Sequence, residues 1–231
     1  MGEPGSYQVN DRRRVIASHR PTRAECGLPE TGVIFSNFNA CYKLTPETFQ
    51  LWMRILAATP GSVLWLLENN PIASANLRAA AHALGVDTAR VVFAPPLPLE
   101  QHLARLSLAD LLLDSLPANA HTTASDALWA GVPVLTLRGS AFSGRVAASL
   151  LESVGLPELV TETGAEYEAL ALRLASDAGE LDAIRSRLAD NRATASLFDS
   201  DRFRRNIETA YRQMWSIHRG GGKPRSFAVE E

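Results

Sequence analysis

Cysteine is scarce in this chain. The two present, Cys26 and Cys41, stand fifteen positions apart with no second pair, which is neither a disulfide framework nor a zinc site. An excess of one charge is also absent. Lys plus Arg number 23 against 25 Asp plus Glu, a formal net charge of -2. That balance gives no electrostatic case for nucleic acid or an anionic membrane as partner. No run of 18 apolar residues would cross a bilayer, and the start of the chain has no apolar stretch like that of a secretion signal. A reducing cytoplasm is therefore the default compartment. Several ligand motifs are missing too. No G-x-G-x-x-G follows the first strand candidate, so the nicotinamide fingerprint is lacking. No G-x-x-x-x-G-K-[ST] suggests a P-loop, no G-x-S-x-G a serine nucleophile, and no His pair or Asp cluster has metal spacing. There is no internal repeat.

What is present, in 231 residues that are 46% hydrophobic, is enough for one large domain with a full core. Residues 1–30 are polar, rich in Gly, Pro and Arg, and read as a leader or interlobe linker. Its densest charge cluster, Arg12-Arg13-Arg14, reads as a solvated run. From Gly32 the pattern changes. Short, continuously apolar runs predict strands at Val33–Phe38, Val63–Leu67, Arg90–Ala94, Asp110–Asp114 and Val132–Leu137, with a weak sixth at Leu159–Val160. Continuous rather than alternating runs suit strands buried on both faces.

Helical signals lie between them. Thr45-Pro46-Glu47 offers a cap, a proline at the first helical position and an early acid, and Phe49, Trp52, Met53 and Leu56 follow on one face. Asn70-Pro71 repeats the signal, Pro98-Leu99-Glu100 opens a third helix, and His121-Thr122-Thr123 opens a fourth that Gly131 ends. Beyond residue 160 helices are expected at Tyr167–Ser176, Leu181–Arg192 and Arg202–Ile217, the last with Phe203, Ile207, Ala210, Tyr211 and Met214 on one side. The expectation is an α/β fold, a Rossmann-like doubly wound parallel sheet with C-terminal helices spanning residues 31–217, then a loose tail over 218–231.

Such a sheet binds ligands at the carboxyl ends of its strands, so the loops there are the candidates. Ser115 to Ala120 lead into His121, Thr122 and Thr123, where the unpaired first N–H groups of a helix favour an anion. Asp126, one turn further, suits a ribose hydroxyl. Two readings stand side by side here, a diphosphate cradle and an ordinary Thr122 cap. Lys43, just before the next helix after the first strand, can reach a phosphate as a point charge, or is one more exposed lysine. His102 and Arg105 share a helix face and can meet a base, or simply face solvent.

Seven segments in order resemble one family. They are Ser6 to Asp11, Asn37-Phe38-Asn39 with Tyr42-Lys43, Ser62 to Leu67, His121-Thr122-Thr123, Leu128 to Val134, Arg145 to Ser149, and Tyr211 to Trp215. Together they resemble the C-terminal catalytic lobe of the O-GlcNAc transferase / SPINDLY family, of the bacterial kind joined to tetratricopeptide repeats. The resemblance implies the C-terminal lobe of a GT-B glycosyltransferase that needs no metal or other cofactor. Its donor would be UDP-GlcNAc, or a GDP-sugar as in SPINDLY relatives, and its acceptor a Ser or Thr of a protein. It implies a phosphate-binding, catalytic role for Lys43, base contacts for His102 and Arg105, diphosphate contacts for His121, Thr122 and Thr123, and a ribose contact for Asp126. Ala40 replaces a glutamine of the animal enzymes and Leu99 a lysine, which leaves nucleotide and sugar open. The family's N-terminal lobe and repeats have no counterpart here, so the chain reads as the donor-binding half of an inverting protein O-glycosyltransferase. Two rivals are a non-catalytic nucleotide-sugar-binding module or partner subunit, and a GT-B enzyme with a small-molecule or lipid acceptor.

Overall fold

A computed structural model describes residues 6–229. Six strands form one fully parallel sheet: β1 Ile34–Asn37, β2 Val63–Leu67, β3 Val91–Ala94, β4 Leu111–Leu113, β5 Val134–Leu137 and β6 Val160–Thr161. Their order is β3-β2-β1-β4-β5-β6. The chain starts in the middle, winds outward to β3, then returns past β1 to build the other half. The direction therefore reverses between β1 and β4, the place where open α/β sheets leave a crevice for ligands.

All six expected strands form: β2 with the expected bounds, β1, β3, β4 and β5 shorter by one or two residues at one or both ends, and β6 shifted by one residue to Val160–Thr161. Asp110 and Asp114 flank β4 instead of extending it. Asp110 Oδ2 accepts from Ile34 N–H at 2.7 Å, and the same carboxylate pairs with Arg23 and Arg185, closing the amino end of the sheet. Asp114 works at the opposite end.

Eight α-helices cover the sheet: α1 Pro46–Ala58, α2 Pro71–Ala83, α3 Leu99–Leu106, α4 Thr122–Ala130, α5 Val146–Val154, α6 Gly164–Ser176, α7 Ala178–Arg192 and α8 Ser200–Arg219. Thr45 and Asn70 cap α1 and α2 as their sequence signals predict, each side chain accepting from N–H groups of the first turn. Three helices begin earlier than hydrophobic periodicity indicates, because caps set their starts. A reciprocal Thr163/Glu166 capping box opens α6 at Gly164, Asp177 opens α7 at Ala178, and Asp199 opens α8 at Ser200.

Between the layers Ile34, Phe35, Trp52, Leu56, Leu64, Trp65, Leu112 and Leu135 are sealed from solvent. Each large apolar side chain so buried stabilises the fold by about 1.5–3 kcal/mol before conformational entropy is set against it. One glycine is indispensable to the sheet's amino edge. Gly32 has φ +95°, and a Cβ there would lie 2.2 Å from Gly61 O. Gly32→Ala is expected to lose about 3 kcal/mol or more in urea unfolding, since left-handed strain adds to a backbone clash. A loss below about 1 kcal/mol would show that the two loops have room to separate.

The leader does not stand apart from the lobe. Arg23 donates to Gly32 O at 2.9 Å, Ala17 N–H to Glu100 O at 3.1 Å, and Trp129 Nε1 to Arg14 O at 3.2 Å. Nor is Arg12-Arg13-Arg14 a uniformly solvated run: Arg13 is open, while Arg14 is largely buried against Asp126. At the other end, the described part of the tail lies back along α8, where Phe227 and Pro224 line a groove with Met214 and Ile217, and Val229 is buried. On α8 only Ala210 is fully buried. Phe203 and Ile207 are half-buried, and Tyr211, Met214 and Trp215 are exposed.

Candidate functional site

The site grows from the ends of β1 and β4. After β1 the chain turns through Asn37-Phe38-Asn39. Asn37 Nδ2 donates to Leu113 O at 2.7 Å, its Oδ1 accepts from Asn39 N–H at 2.9 Å, and Asn39 Nδ2 donates to Ser115 Oγ at 3.2 Å. The first and third bonds lock the first loop to the β4 side across the switch point, and the second braces the first loop itself. The chain then makes a short turn, Cys41 to Lys43, ahead of α1. Lys43 Nζ reaches across the crevice and donates to Asn119 O at 3.3 Å, two residues before His121.

The second loop, residues 115–120, is anchored by Asp114, which is fully buried. Its Oδ1 accepts from Ser115 N–H at 2.8 Å and from Ala120 N–H at 2.6 Å, and its Oδ2 from the Thr136 hydroxyl at 2.6 Å. Tyr167 donates its hydroxyl to Asp114 O from behind. Burial pushes the carboxyl up to about 7, opposed by Thr136, the two N–H donors and the nearby Lys43 charge. The clasp carries the chain into α4 with His121 at the cap position.

At that helix start, no side chain caps the first turn. The first helical bond runs from Ser125 N–H to His121 O, and among the described residues the N–H groups of Thr122, Thr123 and Ala124 have no partner. Thr122 is therefore not the helix cap. It lies one residue inside, exposed, and Thr123 is half-exposed beside it. A row of unpaired N–H groups plus two hydroxyls, with Lys43 entering from the facing loop, is a preformed anion cradle. The ring of His121 is already engaged. Its Nε2 is 3.3 Å from Ser143 O, which can only accept, so Nε2 carries the hydrogen and Nδ1 accepts from the Tyr7 hydroxyl at 2.8 Å. Asp126 is buried one turn in and paired with Arg14. Burial raises its carboxyl above the ordinary range and Arg14 pulls it back down.

On the other side of Phe38 is the pair from α3. His102 is half-buried, with its ring edge-on to Phe38 at 4.9 Å. Burial and the adjacent Arg105 charge lower its pKa to about 4, which keeps the imidazole neutral near neutrality; with Nδ1 accepting from Arg105, Nε2 carries the hydrogen and can donate. Arg105 departs from the open-face expectation. It is only 2% exposed, lies over Phe38 at 5.0 Å, and spends its donors on Pro95 O at 2.6 Å and His102 Nδ1 at 3.1 Å. It orients His102 from behind and is not itself open to a ligand. Lys43, His121, Thr122, Thr123 and Asp126 thus share one end of the sheet around β1 and β4, and His102 faces that end from the β3 side with Arg105 beneath it.

The family model described as Glycosyl transferase family 41 matches residues 11–207, nearly the whole of this framework. The chain belongs to glycosyl transferase family 41. Among curated family 41 relatives, the probable UDP-N-acetylglucosamine--peptide N-acetylglucosaminyltransferase SEC of Arabidopsis thaliana is 37% identical over 234 residues, covering 99% of this chain and 24% of that protein. The UDP-N-acetylglucosamine--peptide N-acetylglucosaminyltransferase of Caenorhabditis elegans is 37% identical over 200 residues, covering 87% of this chain and 17% of that one. The chain thus spans a quarter or less of the curated relatives' length. Among solved structures, the O-GlcNAc transferase of Thermobaculum terrenum, determined as a lysine-to-methionine mutant, superposes with a TM-score of 0.76 at 38% identity, over 80% of this chain and 36% of that one. The sheet is accordingly the Rossmann-like lobe of a GT-B family 41 fold.

Four contributors to the site escaped the sequence reading: Tyr7, Gln8, Arg14 and Asp114. Asp114 left a trace, a carboxylate closing an apolar run at the carboxyl end of a strand, where buried acids often serve a site. Tyr7 and Gln8 lie in the Ser6 to Asp11 segment of the resemblance and Arg14 in the arginine cluster, but nothing local says that residue 14 of a polar leader folds back on residue 126. Among the described residues no helix is long and apolar enough to cross a membrane, and no three His, Cys, Asp or Glu side chains group to hold a metal ion.

Proposed function

We propose that this chain is the donor-binding lobe of an inverting protein O-glycosyltransferase, taking UDP-GlcNAc as donor and a Ser or Thr hydroxyl as acceptor. The observation that carries the reading is the convergence of Lys43 with the unpaired N–H groups of Thr122, Thr123 and Ala124 across the β1/β4 crevice. As the glycosidic bond breaks, negative charge collects on the leaving diphosphate. A cation and a helix N-terminus held in place by the fold stabilise that charge without reorganising, an effect worth about 3 kcal/mol per lost donor in comparable oxyanion sites. Asp126 would take the ribose and the neutral His102 the base. The relatives named above are called UDP-N-acetylglucosamine enzymes, which favours uridine over guanosine.

Among the described residues around this cradle none offers a free general base for the acceptor hydroxyl, since Asp126 is tied to Arg14 and His121 to Tyr7 and Ser143. Acceptor positioning and deprotonation are therefore assigned to groups beyond those at this site. The test is isothermal titration of the chain with UDP, UDP-GlcNAc, GDP and GDP-fucose, beside a transfer assay on acceptor protein. UDP and UDP-GlcNAc should bind, GDP and GDP-fucose should bind more weakly, and the chain alone should transfer no sugar. Failure of every nucleotide to bind would overturn the reading. Tighter binding of GDP-fucose would move the donor to a fucosyl nucleotide, the choice that Ala40 and Leu99 leave open.

A further inference from the structure

We infer that residues 7–14 form a strap that completes the donor site, with Tyr7, Gln8 and Arg14 as positioning residues for His121, Thr122 and Asp126. The inference rests on the reading of the α4 N-terminus as a diphosphate and ribose site.

Three successive contacts tie the strap to α4. The Tyr7 hydroxyl donates to His121 Nδ1 at 2.8 Å while Phe142 packs edge-on to the Tyr7 ring at 5.0 Å. Gln8 Nε2 donates to Thr122 Oγ1 at 3.3 Å and Ser125 Oγ at 3.4 Å. Arg14 Nη1 pairs with Asp126 Oδ1, with the two side chains 14% and 10% exposed. The strap itself is pinned. Trp129 Nε1 donates to Arg14 O, and the Trp129 ring lies between the guanidinium groups of Arg14 and Arg192, 5.5 and 5.4 Å from its centre.

The chemistry of these contacts favours completion over blockage. The strap takes up side chains and leaves the anion-binding backbone alone: the N–H groups of Thr122, Thr123 and Ala124 remain unpaired beneath it. Because Thr122 Oγ1 accepts from the Gln8 amide, its own hydrogen is free to point outward, as a phosphate oxygen requires. Because Tyr7 and Ser143 hold both nitrogens of His121, the ring cannot swing into the cradle. Arg14 has the largest task. A ribose hydroxyl donates most strongly to an ionised carboxylate, and a carboxylate as buried as Asp126 tends to take a proton. Arg14 opposes that and favours the charged form, and it leaves Oδ2 without a hydrogen-bond partner among the described residues. Arg14 is the one charged group acting on Asp126 among those residues, with Asp11 behind the guanidinium.

The experiment is titration of the chain with UDP at about pH 6 and about pH 8, because a buried carboxyl without its cationic partner is more readily protonated at the lower pH. The variants are Arg14→Ala, Arg14→Lys, Tyr7→Phe, Gln8→Ala, Asp126→Asn and the Arg14→Ala/Asp126→Asn pair, each checked for a folded spectrum. Arg14→Ala should weaken UDP by about tenfold or more, the scale of one lost charge-assisted contact. The loss should be larger at the lower pH, where Asp126 without its partner takes up a proton, and Arg14→Ala should add little once Asp126 is already Asn. Arg14→Lys should fall between parent and Arg14→Ala, and Tyr7→Phe and Gln8→Ala should each weaken UDP less than Arg14→Ala. If Arg14→Ala does not fold, Arg14→Lys and Gln8→Ala carry the test. Parent-like or tighter UDP binding in the strap variants would overturn the inference, the tighter outcome marking residues 7–14 as a plug. No binding of UDP to the parent chain would instead sink the donor-site reading.

Discussion

Asp114→Ala is expected to destabilise the protein by about 3 kcal/mol or more, because each buried donor left without an acceptor costs about 1–3 kcal/mol. Three donors are at stake, the N–H groups of Ser115 and Ala120 and the hydroxyl of Thr136, all within 2.8 Å of a carboxylate sealed from solvent. In a chain of this length each kcal/mol lowers Tm by roughly 2–4 °C, so thermal unfolding should drop by roughly 6–12 °C. Nucleotide affinity should fall further than stability explains, since Ala120 N–H is the stitch that delivers His121 and Thr122 to the crevice. Asp114→Asn separates charge from geometry. With its carboxyl raised to about 7, Asp114 contributes stability that is complete below its ordinary value of 3.8 and is lost as pH rises through about 7. The neutral variant has no such slope. Measured against the parent by urea unfolding, Asp114→Asn should look worse at about pH 5 than at about pH 7.5. An equal deficit at both would mean that Asp114 is already ionised throughout.

Lys43→Ala is expected to weaken UDP by about tenfold to a hundredfold while leaving uridine, which has no phosphate, almost unchanged. Among the described residues Lys43 is the one cation whose side chain bonds to the 115–120 loop, through Nζ to Asn119 O, while Arg14 and Arg105 are committed to Asp126 and to Pro95 and His102. In a family 41 protein carrying both lobes the same change should lower kcat by about a hundredfold to a thousandfold, the range seen when one preorganised donor to a developing oxyanion is removed. Lys43→Arg should restore part of the UDP affinity. Equal losses for UDP and uridine would show that Lys43 supports the loop and not the phosphate. Its stability cost should be small, because the ammonium is only half-buried and makes a single bond to a carbonyl.

These expectations rest on parts of the molecule that differ in how openly the sequence displays them. The local rules were plainly written. Continuous apolar runs at Val63–Leu67 and within Asp110–Asp114 read as strands buried on both faces, and Thr45-Pro46 and Asn70-Pro71 read as helix starts, because caps and prolines act over three or four residues. The placing of ligand loops at strand ends follows from alternating strands and helices alone, which is why Lys43 and the His121-Thr122-Thr123 segment were visible as candidates. The sequence by itself thus determined the doubly wound sheet, its strand segments and the loops that face the crevice.

Tertiary structure decided which of those candidates are open and what holds them. Arg105 shares a helix face with His102 in any helical projection, yet Phe38 and Pro95 O take its guanidinium, so exposure depends in part on a loop 67 residues away in sequence. The strap is the extreme case: residues 7–14 and α4 are separated by more than a hundred positions, and no local propensity joins Arg14 to Asp126. Likewise Asp110 and Asp114 bracket the same three-leucine strand and look alike in sequence. One binds arginines at the amino edge and the other stitches a loop at the carboxyl edge, because parallel strands give the two ends of a sheet different neighbours. Charge pairing and burial are properties of what surrounds a side chain, and those surroundings exist only once the sheet has ordered its strands.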